Sequence, residues 1–287
     1  MSALASIGLP YPFERDYMEL ALLAGGIVGA TAPLVGTFLV QKRLSLMGDG
    51  IGHLAFAGVA AGLLLDVWPI WTALVVAVVG ALLIEWLRIR GRTSGDLALA
   101  LVFYGGIAAA VVIASRTDSG TVNVLPYLFG SILTVSHDDV RVILGLGIAI
   151  VVVVTFLGRA LFATLVDEES ARVAGVPVVV CNSALAVLTA VTVVAAMRVV
   201  GVLLIAALMV VPVAASRQFA RSFRGTLVGA VVTGLVAVVG GLAAAREWGL
   251  APGGTIVLAA VALFALSLAA RGLHRARITA PTDLTGL

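Results

Sequence analysis

Charge is what this sequence has least of. Only 11% of its 287 residues are Asp, Glu, Lys or Arg, against about 25% in an ordinary soluble domain. Mean hydropathy is +1.17, and every polar stretch is a short connector, which leaves no room for a separate soluble domain. One cysteine, Cys181, excludes an intrachain disulfide and, without Cys or His neighbours, a closed zinc site. It reads as a small core residue. Several enzymatic signatures are also missing. There is no G-x-x-x-x-G-K-[ST] to grip a nucleotide, so the chain does not hydrolyse ATP by a P-loop, and there is no H-E-x-x-H zinc protease helix and no G-x-S-x-G nucleophile elbow. LMGD at 46–49 has half the look of the G-x-G-D of intramembrane aspartyl proteases. Leucine replaces its first glycine, however, and no Tyr-Asp partner occurs anywhere.

What is present is a succession of apolar runs, each near the roughly 20 residues needed to cross about 30 Å of hydrocarbon. They predict an all-α, polytopic membrane bundle forming one domain over residues 1–287. Spans are expected near 20–40, 50–65, 68–87, 96–115, 138–158, 178–197, 200–215, 225–245 and 253–271. The count is nine, with eight as the alternative, because the second and seventh runs are short and the seventh contains Pro212. Irregular backbone at depth is tolerated where protein surrounds it. Glu14, Arg15, Asp16 and Glu19 precede the first run in place of a basic leader, so that span is expected to be retained.

The sequence pI near 9.5 raises nucleic-acid binding, but the basic residues are confined to connectors, and membrane orientation accounts for them. Thirteen of the 18 Lys and Arg residues fall in alternate connectors: 42–43, 88–92, 159–172, 217–224 and 271–277. By the positive-inside rule these connectors are cytoplasmic. The alternation requires an odd number of crossings. It places residues 1–18 outside and the tail 272–287 inside. Gly25, Gly29 and Gly36, and Gly48, Gly52, Gly58 and Gly62, are spaced for close packing between helices.

Asp49 and His53 are the chemical exception. At about 100° per residue they lie roughly 40° apart on one helical face, flanked by Gly48, Gly50, Gly52, Ala55 and Ala57. Carboxylate and imidazole suit a divalent transition metal, and ionisable groups within a span are functional candidates. The competing reading makes Asp49 an N-cap and His53 a hydrogen-bonding interface residue. His137, beside Asp138 and Asp139, reads first as a solvated helix start and second as a cation ligand; His274 reads as a surface residue. Glu85, Asp66, Asp96 and Glu247 fall near span ends, and no chain of mid-span carboxylates suggests a proton relay.

Two connectors stand out. Residues 159–177, RALFATLVDEESARVAGVP, predict a short cytoplasmic helix that starts on acids and closes at Gly and Pro. The outer connector, 116–137, is turn-rich, with Asn123, Pro126 and Gly130, and is a candidate surface for an external partner.

In order along residues 20–272, five stretches are similar to landmarks of the bacterial zinc/manganese ABC-transporter permeases. They are VQKRLSLMGDGIGHLAFAGVAAGLLL (40–65), YLFGSILTVSHDDV (127–140), LVDEESARVAGVPV (165–178), VVGVLLIAALMVVPVAASRQFA (199–220) and APGGTIVL (251–258). The resemblance implies a bundle like those of metal and siderophore importers, working as a homodimer in the bacterial cell membrane. It implies two copies of a cytoplasmic ATPase and an extracytoplasmic metal-binding protein as partners. The family's metal-contacting Asp and His fall on Asp49 and His53. Its ATPase coupling helix falls on Asp167, Glu168, Glu169, Ala171, Arg172 and Gly175. No bound cofactor is expected. The metal, zinc first and manganese second, is cargo; the alternatives are a permease for a metal chelate or vitamin, or an ATP-independent transporter.

Overall fold

A computed structural model of the protein describes residues 11–90, 95–116, 125–131, 133 and 135–279, with the backbone alone at 95, 96, 125 and 273–279. Residues 1–10 of the predicted outer segment 1–18 and 280–287 of the predicted tail 272–287 lie outside these bounds, as do Asn123 and the side chains of Asp96 and His274. The described residues are helical, and apolar runs made the helices. In chain order they are α1 (Asp16–Gln41), α2 (Met47–Leu64), α3 (Pro69–Ile89), α4 (Gly95–Ala114), α5 (Leu125–Phe129), α6 (His137–Val166), α7 (Glu168–Val173), α8 (Val178–Ala196), α9 (Ile205–Ser216), α10 (Phe223–Trp248) and α11 (Pro252–Thr279).

Eight of these are long and apolar enough to cross a membrane. The predicted ninth span is α9, whose 12 residues rise only about 18 Å, short of the roughly 30 Å core. Side-chain contacts nevertheless keep the predicted alternation. At one end, Phe38 of α1 meets Phe223 of α10, which meets Phe162 of α6, and Arg271 of α11 donates to Gln218 after α9. At the other end, Arg246 of α10 reaches Tyr17 of α1, and Arg198, after α8, pairs with Asp139 of α6. The end rich in connector arginines is the cytoplasmic one by charge. Eight helices are thus of membrane-crossing length, and α9 is a shorter apolar helix that keeps the two ends in alternation.

The interior is built from α1, α2 and α8, of which 67%, 61% and 61% of the most apolar window is buried; α4, α6 and α11 bury 22% or less and turn residues such as Leu101, Phe156 and Leu266 outward. In water such faces would be a liability; in hydrocarbon they are the solvated side. Packing rests on small residues, as the glycine spacing predicted. A Cβ on Gly36 would stand 1.8 Å from the Met209 carbonyl oxygen, and one on Gly58 would stand 2.6 Å from Ala73 Cα, so α1–α9 and α2–α3 touch backbone to backbone.

Between α8 and α9 the helix breaks over residues 197–204, which are buried apart from the exposed Leu203 and the half-buried Arg198 and Leu204. Its amide groups are satisfied by the outer connector: Ser131 N–H donates to the Arg198 carbonyl at 3.2 Å, and Val202 N–H to that of Tyr127 at 2.9 Å. Gly201, at φ +91°, lets the two backbones meet, since a Cβ there would stand 2.4 Å from the Leu128 carbonyl oxygen. Non-helical backbone is stable at membrane depth only when enclosed in this way. The break shortens α9 and moves its start from the predicted 200 to 205.

Candidate metal site and cytoplasmic helix

α2 begins at Met47, two residues before Asp49, and its N-cap position, Leu46, makes no side-chain capping bond. Asp49 therefore sits inside the first turn and is not the cap that the competing reading proposed. One turn on, His53 Nε2 lies 4.0 Å from Asp49 Oδ1, with the His53 side chain 16% exposed and that of Asp49 35% exposed. No other ion pair or hydrogen bond engages the Asp49 carboxylate among the described residues. The imidazole packs edge-on against Phe103 of α4, ring centres 4.6 Å apart. This aromatic wall orients the ring without occupying its nitrogens.

Small residues let neighbours close in on this turn of α2. Gly50 admits Leu99 of α4, Gly48 admits Met209 and Ala206 of α9, and Gly52 faces the Val202 carbonyl and Val193 of α8. This turn of α2 therefore packs against α4, α8 and α9, with Val202 of the broken backbone 197–204 beside it. A carboxylate oxygen and an imidazole nitrogen at this separation can grip one divalent cation. No cluster of three or more His, Cys, Asp or Glu side chains capable of holding a metal occurs among the described residues, so the pair stands there without a third such side chain.

His137 is the first residue of α6, where a reciprocal capping box joins Ser136 and Asp139. Asp139 is further taken up by Arg198 at 2.8 Å, and Asp138 by Arg141. These partners make the SHDD stretch a helix start and not a cation cluster. Cys181 is buried at 2% exposure, as expected of a core residue, and Glu85 is buried against Arg88 at 2.7 Å.

The predicted cytoplasmic helix is α7, spanning Glu168–Val173 with Asp167 as its cap. α6 continues to Val166, beyond the predicted 158, because 160–166 is an apolar run and Arg159 is exposed, free to extend its long stem toward water. Asp167 accepts from the Glu169 amide at 2.9 Å and from the Ser170 hydroxyl; the Ser170 bond first, then the backbone amides, hold its carboxyl below the usual aspartate range. Ala171 faces the bundle, buried, while Glu169, Arg172 and Val173 are exposed, Val173 at 86%. Gly175, at φ +82°, reverses the chain into α8. Glu168 turns inward to Lys42 at 2.8 Å. Partial burial pulls its pKa up, but the Lys42 ammonium and the Asn182 amide outweigh this and leave it lowered. Sequence reasoning missed both long-range pairs, Lys42–Glu168 and Arg198–Asp139; the only signal was that Arg198 interrupts an apolar run.

Helices of membrane-crossing length packed around an acid–imidazole pair define a multi-pass membrane protein. Residues 14–271 match the family model of the ABC 3 transport family, and the chain belongs to that family. It is 31% identical to the high-affinity zinc uptake system membrane protein ZnuB of Haemophilus influenzae, over 86% of this chain and 95% of that one. It is 28% identical to the manganese transport system membrane protein MntC of Halalkalibacterium halodurans, over 88% and 86%. Among solved structures it resembles PsaBC from Streptococcus pneumoniae in complex with Fab, at a TM-score of 0.80 and 29% identity, covering 89% of this chain and 92% of that one. The chain is a multi-pass permease of the bacterial inner membrane, from the zinc- and manganese-importing family.

Proposed function

We propose that this permease carries zinc in preference to manganese, as a bare ion that passes between Asp49 and His53, and that it works as a homodimer. The observation that carries this reading is the pair itself: two groups 4.0 Å apart on one turn of α2, neither used for capping. A second copy would add another Asp49 and His53, and four protein ligands suit tetrahedral zinc. A conduit must also release its ion, which an open shell favours. A metal-binding protein outside would deliver the ion, and a separate ATPase would supply the work. That ATPase would dock on α7 through Asp167, Glu168, Glu169, Ala171, Arg172 and Gly175, where the exposed Val173 and Arg172 offer an apolar and a charged contact.

The test is uptake of radioactive zinc by proteoliposomes holding the permease with its ATPase and binding protein, with manganese and a metal chelate as competitors. Removal even of outer-shell partners weakens metal sites about 10- to 100-fold, so Asp49→Ala with His53→Ala lowers uptake at least about tenfold. Unaltered uptake in that double variant overturns the ion-contact role. Stronger competition by manganese reverses the order of metals, and competition by chelate alone points to a chelate permease. Uptake that survives ATP depletion, with no ATPase co-purifying, points to a secondary transporter.

A further inference from the structure

Lys42 is the chain's single lysine, and its side chain is only 8% exposed. It closes α1, and its ammonium donates to Glu168 Oε1 at 2.8 Å and to Asn182 Oδ1. The Asn182 amide donates to the same Glu168 oxygen at 3.2 Å. The result is a closed triangle joining the end of α1, the start of α7 and the second turn of α8. Lys42 and Asn182 also share one small crevice with Met47, Glu85 and Arg88.

The triangle is tied closely to α2. Arg43 follows Lys42 in the left-handed region at φ +60°, a costly conformation for a non-glycine residue. Leu44 N–H then folds back onto the Leu39 carbonyl, and Met47 N–H onto that of Leu44. Met47, 2% exposed, opens α2, and Asp49 lies in the same turn. A displacement of α7 must either carry Lys42 with it or break the two hydrogen bonds that hold Glu168. If Lys42 moves, the short folded turn carries the start of α2 and Asp49 along.

We infer that Lys42, held by Asn182, is a positioning residue that links movement of α7 to the Asp49–His53 site, so that work done on the cytoplasmic helix is delivered at the metal. This rests on the proposed function and adds to it the route from helix to site. Asn182 keeps the ammonium aimed at Glu168. Because the Glu168 side chain is 44% exposed, it regains water when Lys42 is removed, and the permease stays folded.

The experiment uses the permease reconstituted with its ATPase and binding protein, recording ATP hydrolysis and zinc uptake on the same vesicles. Coupling energies between sites correspond to about 5- to 150-fold. Lys42→Met is expected to leave hydrolysis near the original rate and to lower the zinc moved per ATP within that range. Lys42→Arg, which keeps the donor, restores the ratio, and zinc affinity without ATP is the same in all three proteins. An unchanged ratio in Lys42→Met overturns the inference while the transport reading stands. So does an equal loss of hydrolysis and uptake in both variants, which marks Lys42 as structural only. A wild-type permease that recruits no ATPase overturns the functional reading instead.

Discussion

Two ion pairs hold opposite ends of this bundle, and they are built differently. At the outer end Asp139 and Arg198 are both enclosed, at 2% and 14% side-chain exposure, and Asp139 also accepts from the Ser136 amide and hydroxyl. Arg198 lies over the Tyr127 ring, 5.0 Å from its centre. At the cytoplasmic end Lys42 is enclosed at 8%, but Glu168 is open at 44%. A sealed pair has no access to water when broken, whereas a half-open pair can trade its partner for water. The outer pair therefore fixes the α6 start against the α8–α9 break. The cytoplasmic pair suits a contact that loads and unloads.

The largest expected effect is on the sealed pair. Asp139→Ala removes the buried carboxylate that Arg198 meets at 2.8 Å and costs up to about 3–5 kcal/mol, read as a fall in unfolding free energy of the detergent-solubilised protein. A loss no greater than that of Lys42→Met at the half-open pair would erase the contrast between the two ends. A smaller effect is expected from acid at the cytoplasmic end. Asp167 and Glu168 both have lowered pKa values in the folded state, from ordinary values of 3.8 and 4.5. Their stabilisation is complete above those ordinary values and is lost as pH falls through the lowered ones. A spin label at the exposed Val173 should stay ordered at pH 7 and become mobile only in strong acid, below pH 4.5. Mobilisation already at pH 6 would show that the carboxylates do not anchor α7. The smallest effect is at Asp138–Arg141, whose side chains are 64% and 76% exposed. Asp138→Ala should change unfolding free energy by no more than about 1 kcal/mol.

The helices were legible because hydropathy acts locally. Runs of apolar residues mark spans wherever they occur, and Asp167 and Gly175 marked the ends of α7 by cap chemistry. Asp49 and His53 were legible for the same reason, since helical periodicity alone puts them on one face. The far end of α6 was not, because a charged residue was read as a span boundary, whereas the exposed Arg159 sits within a helix that runs on to Val166. The ninth apolar run was legible but not as a helix of 12 residues, because its start depends on the amides of Val202 and Leu203 being engaged by the carbonyls of Tyr127 and Leu128.

The sequence by itself determined which runs form membrane-length helices, which connectors carry the positive charge and the acid–imidazole pair, all of which follow from the order of neighbouring residues along the chain. Tertiary structure alone decided that Lys42 meets Glu168, 126 residues away, that Arg198 meets Asp139, and that Val202 of the broken backbone faces Gly52, next to His53. Those contacts depend on how closely separate helices approach, and that distance is set by glycines on one helix facing backbone or small side chains on another.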